Sequence, residues 1–516
     1  MSNAWSADGS TRRTFLAAGG ALAAGAAFGL TGCSDPSQGK SSNVIKVPDP
    51  KRKLPKGDVS LRVMDSGDTK AAFWEEFAAA YEKKHGNISV DYAALPWNRI
   101  EEVAPLGIRN GTAHDILQLP QSMPLAKAVA EGWVAPVNDL IPDFEKWRAG
   151  FPEGTFVEGV QVFDGKLYAV PPASEQRHQA LLHYNTRLME EAGYDPQAKP
   201  LTWDQFRAAA KKITKQGNGR SYGFVLEVAQ PERLEFLVHY LASSARSASV
   251  NYRPHGFIDP RKGEFAYTDD AFAEAIELLL ALKKDGSVFP GSSSLTAPEA
   301  WPRVLRGHAG MVAAGPWVTE QWQEEKPDFD FGVAGHPVAG PDGYPMSYPM
   351  FGTDGVVVFA KSKAKPVVGD VLSYLGSLAG QQAWGKIVGA GNPPINEQAR
   401  EAAKKGASPQ ARQCLKLADA MRSRPEPVTR NSQVTLLAEK QKQVTPSFGE
   451  VVQALFLGKT DDVRGELRKL SDRSDRLLDK AVADARKEGV KVSREDFVFP
   501  DWDPSRDYTG SGPKPK

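Results

Sequence analysis

The stretch from Val59 to Gly132 alternates between strand-like and helix-like periods, and this alternation restricts the fold more than any other feature. Val59-Ser60-Leu61-Arg62-Val63-Met64 alternates as a half-buried strand does. Ala71–Glu82 then carries Phe73, Phe77 and Tyr81 four residues apart, which places them on one face of a helix. Ile88–Tyr92 is a second strand, and Ile100–Arg109 a second helix interrupted at Pro105. Asp115–Leu119 is a third strand, followed by a helix at Ala126–Glu131 that Gly132 ends. This β-α-β-α-β order predicts an open, largely parallel sheet covered by helices. Ligands of such sheets bind beyond the carboxyl ends of the strands. The candidate contact segments are therefore Asp65–Asp68, Leu95–Asn98 and Gln118–Ser122.

A second α/β unit is expected from about Pro171-Pro172. Leu181–Tyr184 and Tyr222–Leu226 read as strands, and Trp203–Ile213 as a helix capped by Thr202. Ala271–Leu282 is an amphipathic helix and Val356–Ala360 a short buried strand. The rest is mostly helical up to a polar tail, 506–516. A length of 516 residues accommodates two medium domains. The 64 basic and 63 acidic residues nearly cancel, so the chain lacks the basic footprint of a nucleic-acid binder. The two cysteines are Cys33 and Cys414; the second lies in a helix-like stretch, where a buried structural thiol is expected. His178 and His183 are five apart without a partnered ligand spacing, so no metal site is expected. No nucleophile elbow or phosphate loop occurs, no catalytic residue stands out, and no cofactor is expected.

The N-terminus has its own logic. Arg12-Arg13-Thr14-Phe15-Leu16 opens an Ala/Gly-rich apolar run that is too short to span a membrane, which takes about 20 apolar residues. The arginine pair resembles a twin-arginine export signal. Leu30-Thr31-Gly32-Cys33 resembles the lipobox of bacterial lipoproteins. The resemblance implies a signal segment over 1–33, a diacyl, palmitate-type lipid on Cys33, and a protein held at the outer face of the cell membrane. Residues 34–57, with the basic run Lys51-Arg52-Lys53, are expected to form a flexible tether.

A wider resemblance covers roughly residues 58 to 490. Gly165-Lys166-Leu167-Tyr168-Ala169-Val170-Pro171, Tyr184-Asn185-Thr186-Arg187-Leu188, Ala192-Gly193-Tyr194-Asp195-Pro196 and Leu201-Thr202-Trp203-Asp204-Gln205-Phe206 follow one another as in the sugar-binding proteins of ABC importers. Gly307–Met311 followed by Gly315-Pro316-Trp317, Gly389–Pro394, and Gly458-Lys459 after Ala454–Leu457 continue the match in order. The chain thus resembles family 1 of the extracellular solute-binding proteins, the maltodextrin-binding-protein-like group.

That resemblance implies a two-lobed, type II periplasmic-binding-protein-like α/β fold with three interlobe crossovers and a helical C-terminal section. The first lobe is expected over 58–168 and 315–352, and the second over 172–312 and 356–505. The crossovers are expected at Ala169–Pro171, Val312–Ala314 and Thr353–Gly355. Ligand is expected between the lobes, with aromatic rings stacking on sugar C–H faces and polar groups bonding the hydroxyls. The candidates are Asp65, Trp97, Asp115, Gln118, Gln121, Glu175, His178, Trp317, Tyr348 and Asp354. Trp97 and Trp317 would serve equally well as core residues, and Asp115 as a turn cap. Trp74, Trp133 and Trp203, on helices or helix starts, are expected in the core. The implied partners are a small-molecule sugar and the permease subunits of an ABC importer with its cytoplasmic ATPase; the protein itself is expected to be monomeric. Gly352-Thr353-Asp354-Gly355 departs from the apolar third crossover of many relatives, which leaves the solute's identity open. The alternatives are a secreted carbohydrate-active hydrolase, or a ligand sensor or non-sugar receptor on the same fold.

Overall fold

The computed structural model describes residues 45–253, 255–340 and 355–508. Arg12, Arg13, Cys33, Tyr348 and Asp354 lie outside the described residues. Two sheets, both within the unit Asn43–Lys516, organise the chain. In the first, the order is Ile88–Ala94, Val59–Asp65, Ile116–Gln118, Val356–Phe359 and Val134–Ala135, with Ala169–Val170 also paired to Val356–Phe359. The three leading strands are parallel, with Val59 opposite Ile88 and Val63 opposite Ile116. Val356–Phe359 runs antiparallel to Ile116–Gln118, with Val356 opposite Gln118. The second sheet has the order Phe331–Ala334, Leu181–Asn185, Ala309–Ala314 and Tyr222–Val225.

Period-two alternation explains how each sheet is covered on both faces. Val63, Ile116 and Val358 point into one apolar layer, with the helix Lys70–Lys84. Their neighbours Met64, Leu117 and Val357 point into the other, with the helix Trp97–Asn110. The expected stripe on Lys70–Lys84 holds: Phe73, Phe77 and Tyr81 stack in series, with ring centroids 6.2 and 5.2 Å apart. Trp74 joins them in the core as expected, and such side chains contribute roughly 1.5–3 kcal/mol each when fully buried. The second sheet divides likewise. Leu182, Phe224 and Met311 face one layer, and Leu181, Val225 and Val312 the other. Thr202 caps Trp203–Gly217 in a reciprocal capping box with Gln205.

The pairing corrects the expected lobe boundaries. Ala309–Ala314 is an interior strand, bonded on both sides, so the chain does not leave the second lobe at Val312–Ala314. It continues through Trp317–Glu325 to Phe331–Ala334, which pairs with Leu181–Asn185. By Val356 the chain is in the first sheet again; Thr353 and Asp354 of the expected last crossover lie outside the described residues. Residues 364–395 then pack on the first sheet through Val367, Leu372, Trp384 and Ile395. From Ala411 onward the helices serve the second lobe, with Leu467, Leu470 and Leu478 in its core.

The tether is also shorter than expected. Ile45 is buried in the first lobe's core, and Val47 and Leu54 pack against it. Lys84 Nζ donates to the Val47 carbonyl at 2.8 Å, and Asn87 Nδ2 to the Pro55 and Gly57 carbonyls at 3.0 and 2.8 Å. Residues 45–57 therefore form a strap on the first lobe, because their sparse apolar side chains find a groove there. Cys414 is buried as expected, and burial pushes its thiol up to about 12. No described helix is long and apolar enough to cross a membrane.

Candidate functional site

The carboxyl ends of the first sheet's parallel strands meet the first crossover and the second lobe. Two candidates there build the loop after Val59–Asp65. Asp65 accepts hydrogen bonds from Gly67 N (2.8 Å), the Tyr92 hydroxyl (2.6 Å) and Trp74 Nε1 (2.9 Å). Gln118 Oε1 accepts from Ser66 N at 2.8 Å. Both are 2% exposed, so they hold the loop and have little surface left for a solute. The loop presents Asp68 instead, in a left-handed conformation (φ 58°) that Asp tolerates better than most residues. Asp68 is exposed to solvent. Desolvation raises its carboxyl, against the pull of Lys70. Lys70 is buried, which lowers its pKa against the opposing effect of Asp65 and Asp68, and its Nζ donates to Ser66 Oγ at 2.7 Å.

Asp115 does not belong to this end. It precedes its strand, where Oδ2 accepts from Arg62 N at 2.9 Å and Oδ1 from the Ser362 hydroxyl at 2.6 Å. It pins the opposite edge of the sheet, in keeping with the turn-capping alternative. Trp97 is the first residue of its helix and packs against the layer of Met64 and Ile100.

Across the cleft, Trp317 starts the helix Trp317–Glu325. A Cβ on Gly315 would come within 2.1 Å of its indole, and one on Gly391 within 2.6 Å of its Cα, so both glycines are needed for this placement. Arg177 and Arg233 approach the ring to 5.9 and 6.0 Å, within cation–π range. Arg177 is buried, donates to Asn392 Oδ1, and lies within electrostatic reach of Glu175 and Asp68. Arg233 Nε lies 3.5 Å from Glu227 Oε2, and Trp301 Nε1 donates to the same side chain. Burial raises the Glu227 carboxyl, and Arg233 opposes the shift. His178 points away from this group. Its Nε2 lies 3.0 Å from the Leu417 carbonyl, anchoring the crossover, and burial pushes the ring down to about 4.

A separate cavity of about 230 Å³ is walled by both lobes: Leu119, Gln121 and Met123 from the first, Tyr252, Arg253 and Arg424 from the second. Arg253 Nη1 donates to Gln121 Oε1 at 2.9 Å, a direct bond between the lobes. Arg253 is steadied from behind by Glu235 at 3.7 Å and by the Phe236 ring at 5.1 Å.

Of the ten solute-contact candidates, Gln121 lines the cavity between the lobes, Glu175 and Trp317 lie beside Arg177, and Asp65, Gln118, Trp97 and His178 are engaged within the fold. Glu227, Arg233, Trp301 and Arg253 were missed. Glu227 lies two residues beyond the end of Tyr222–Val225, so the strand-end rule, applied to the second lobe, would have flagged it. Among the described residues no cluster of three His, Cys, Asp or Glu is placed to hold a metal ion.

Comparison with known proteins agrees with this architecture. The model of the bacterial extracellular solute-binding protein family matches residues 66–382. A Brucella abortus (strain 2308) protein, named only as a candidate binding protein, is 29% identical over 319 residues, 62% of this chain and 72% of that one. The structure of maltose-bound T. maritima MalE3 superposes with a TM-score of 0.63 at 19% identity, covering 81% of this chain and all of that one. The GacH receptor of Streptomyces glaucescens, solved unliganded and with acarbose, superposes with a TM-score of 0.60 at 18% identity, covering 82% and 99%. With two α/β lobes, a cleft between them and a family match across most of both, this chain belongs to the bacterial extracellular solute-binding proteins.

Proposed function

We propose that the protein is the lipid-anchored receptor of an ABC importer and takes a mono- or oligosaccharide between its lobes. The observation that carries this reading is Trp317, framed by Arg177 and Arg233 with Glu175 and Asp68 in electrostatic reach. A pyranose or furanose has an apolar face for an indole and a ring of hydroxyls for carboxylates and guanidiniums. The structural neighbours that hold maltose or acarbose support the same class.

Solute closes the lobes by adding contacts to both, which shifts the population toward the closed form. The closed form docks on permease subunits, and their ATPase drives release. Lipid on Cys33, following export by the twin-arginine route through Arg12 and Arg13, keeps the receptor beside its permease. The 45–57 strap leaves residues 34–44 between the lipid-bearing Cys33 and the first lobe. Tyr348 and Asp354 remain candidates for the same cleft.

A thermal-shift screen of the full chain against mono-, di- and oligosaccharides tests the solute class, because a ligand of the native state raises stability by mass action. A saturable rise with one sugar series supports it. A flat response across the panel, beside a rise with another solute class, would replace it.

A further inference from the structure

Outside the cleft, the strands Leu181–Asn185 and Phe331–Ala334 and the helices Thr186–Ala192 and Pro409–Asp419 enclose a pocket of about 530 Å³. It lies toward the end of the second sheet away from Trp317, since Leu181 pairs with Ala314 whereas Asn185 pairs with Phe331. Glu190, Asp195 and Asp330 line it, together with Tyr184 and Tyr194. Its size falls within the usual range for small-molecule sites, about 300–1,000 Å³.

The decisive residue is Tyr184. It is 4% exposed, yet its hydroxyl has no hydrogen-bond partner among the described residues, and it borders the pocket. A Cβ at residue 332 would come within 2.2 Å of the phenol oxygen, so Gly332 leaves that oxygen its place in the wall. All three carboxylates act on the phenol, which burial and they together push up to about 12. A neutral hydroxyl and three acids thus converge on one space.

The acids are only partly engaged. Asp195 Oδ1 accepts from Gln197 N and Ala198 N at 3.0 and 3.2 Å, and Asp330 Oδ1 from the Thr186 hydroxyl at 3.2 Å. The second oxygen of each has no hydrogen-bond partner among the described residues, and both residues line the pocket. The nearby Arg187 is paired with Glu191 at 2.7 Å, and Lys212 reaches only the rim near Gly193. The acids do not gather closely enough to hold a metal ion. Dispersed negative charge, the half-buried Tyr194 ring and the unpartnered Tyr184 hydroxyl suit an extended organic cation.

We infer that this pocket is a second binding site, separate from the solute cleft, for a small organic polycation carrying two or more ammonium groups. The carboxylates take the ammonium groups in charge-assisted hydrogen bonds, the Tyr184 hydroxyl accepts one more, and the half-buried Tyr194 ring takes a methylene segment and adds cation–π attraction.

The test is calorimetric titration of spermidine into the full chain in detergent at low ionic strength, where screening is weakest. One saturable site per chain is expected. Affinity should fall at least tenfold in the Glu190→Gln/Asp330→Asn double variant and several-fold in Tyr184→Phe. It should not change in Asp461→Asn/Asp472→Asn, which removes the same charge elsewhere on the surface. At matched ionic strength, Mg²⁺ should displace spermidine no better than Na⁺ does. Should Tyr184→Phe fail to fold, Glu190→Gln alone, at an exposed position, decides the matter. Absence of saturable binding at millimolar spermidine overturns the inference, as does equal binding by the wild-type chain and the double variant.

Discussion

His336 gives the sharpest thermodynamic expectation. The ring is 2% exposed, neither nitrogen has a hydrogen-bond partner, and His178 and Tyr240 pack against it at 6.5 and 5.2 Å. Burial, reinforced by His178 and His239, pushes its pKa from 6.5 down to about 3. A histidine held neutral in the fold contributes stability above its unfolded pKa and loses it as pH falls, because the unfolded chain takes up the proton first. From about pH 7.5 to about pH 5.5 the unfolded ring gains roughly 1 kcal/mol from protonation while the folded ring gains almost nothing. His336→Leu removes that difference.

The buried carboxylates whose pKa values are raised, Glu227 and Glu426 among them, titrate in the opposite sense, but they are common to both chains and cancel in the comparison. The substitution also removes two unpaired buried nitrogens, which cost about 1–3 kcal/mol when left unsatisfied. Urea unfolding of wild type and His336→Leu at the two pH values reads the effect. The expected outcome is a variant at least as stable as wild type near pH 7.5, with its advantage larger by roughly 1 kcal/mol near pH 5.5. An advantage independent of pH, or a variant less stable by several kcal/mol, would refute the reasoning.

Other expectations concern the cleft and the scaffold. Trp317→Ala should weaken solute binding by tenfold or more and lower the melting temperature only modestly, since the indole is half-buried; calorimetry and thermal unfolding separate the two effects. Arg253→Ala removes the 2.9 Å bond to Gln121, so the ligand-free chain should scatter as a more open particle. Thr202→Ala breaks the capping box and should cost about 1 kcal/mol in urea unfolding without touching solute affinity.

Much of the fold was legible because its signals are local. The aromatic stripe of Phe73, Phe77 and Tyr81 and the Thr202 cap depend on neighbours a few residues away, and both appear where expected. Sheet membership was not legible. Val356–Phe359 reads as a short apolar strand and Phe331–Ala334 is not singled out at all, and nothing within either says which sheet it joins. Their partners, Leu181–Asn185 and Ile116–Gln118, lie over a hundred residues away, so the two lobe assignments were exchanged.

At the site, the strand-end rule found the right places but not the right roles. Asp65 and Gln118 stand at the correct edge, yet their side chains turn back to satisfy backbone amides and an indole of their own lobe. Period-two alternation cannot distinguish that from pointing at a solute. Arg233 sits in the first turns of Pro231–Ser244, where an arginine reads as a surface residue; only the tertiary fold brings it to Trp317 and Glu227.

The central claim is that solute draws the two lobes together. Small-angle X-ray scattering of the full chain, with and without the sugar that raises its melting temperature most, addresses it directly. The expected result is a smaller radius of gyration at saturation, reached over the same concentration range as calorimetric binding, and no such change for Trp317→Ala. Scattering that stays the same while every stabilising sugar binds would contradict it.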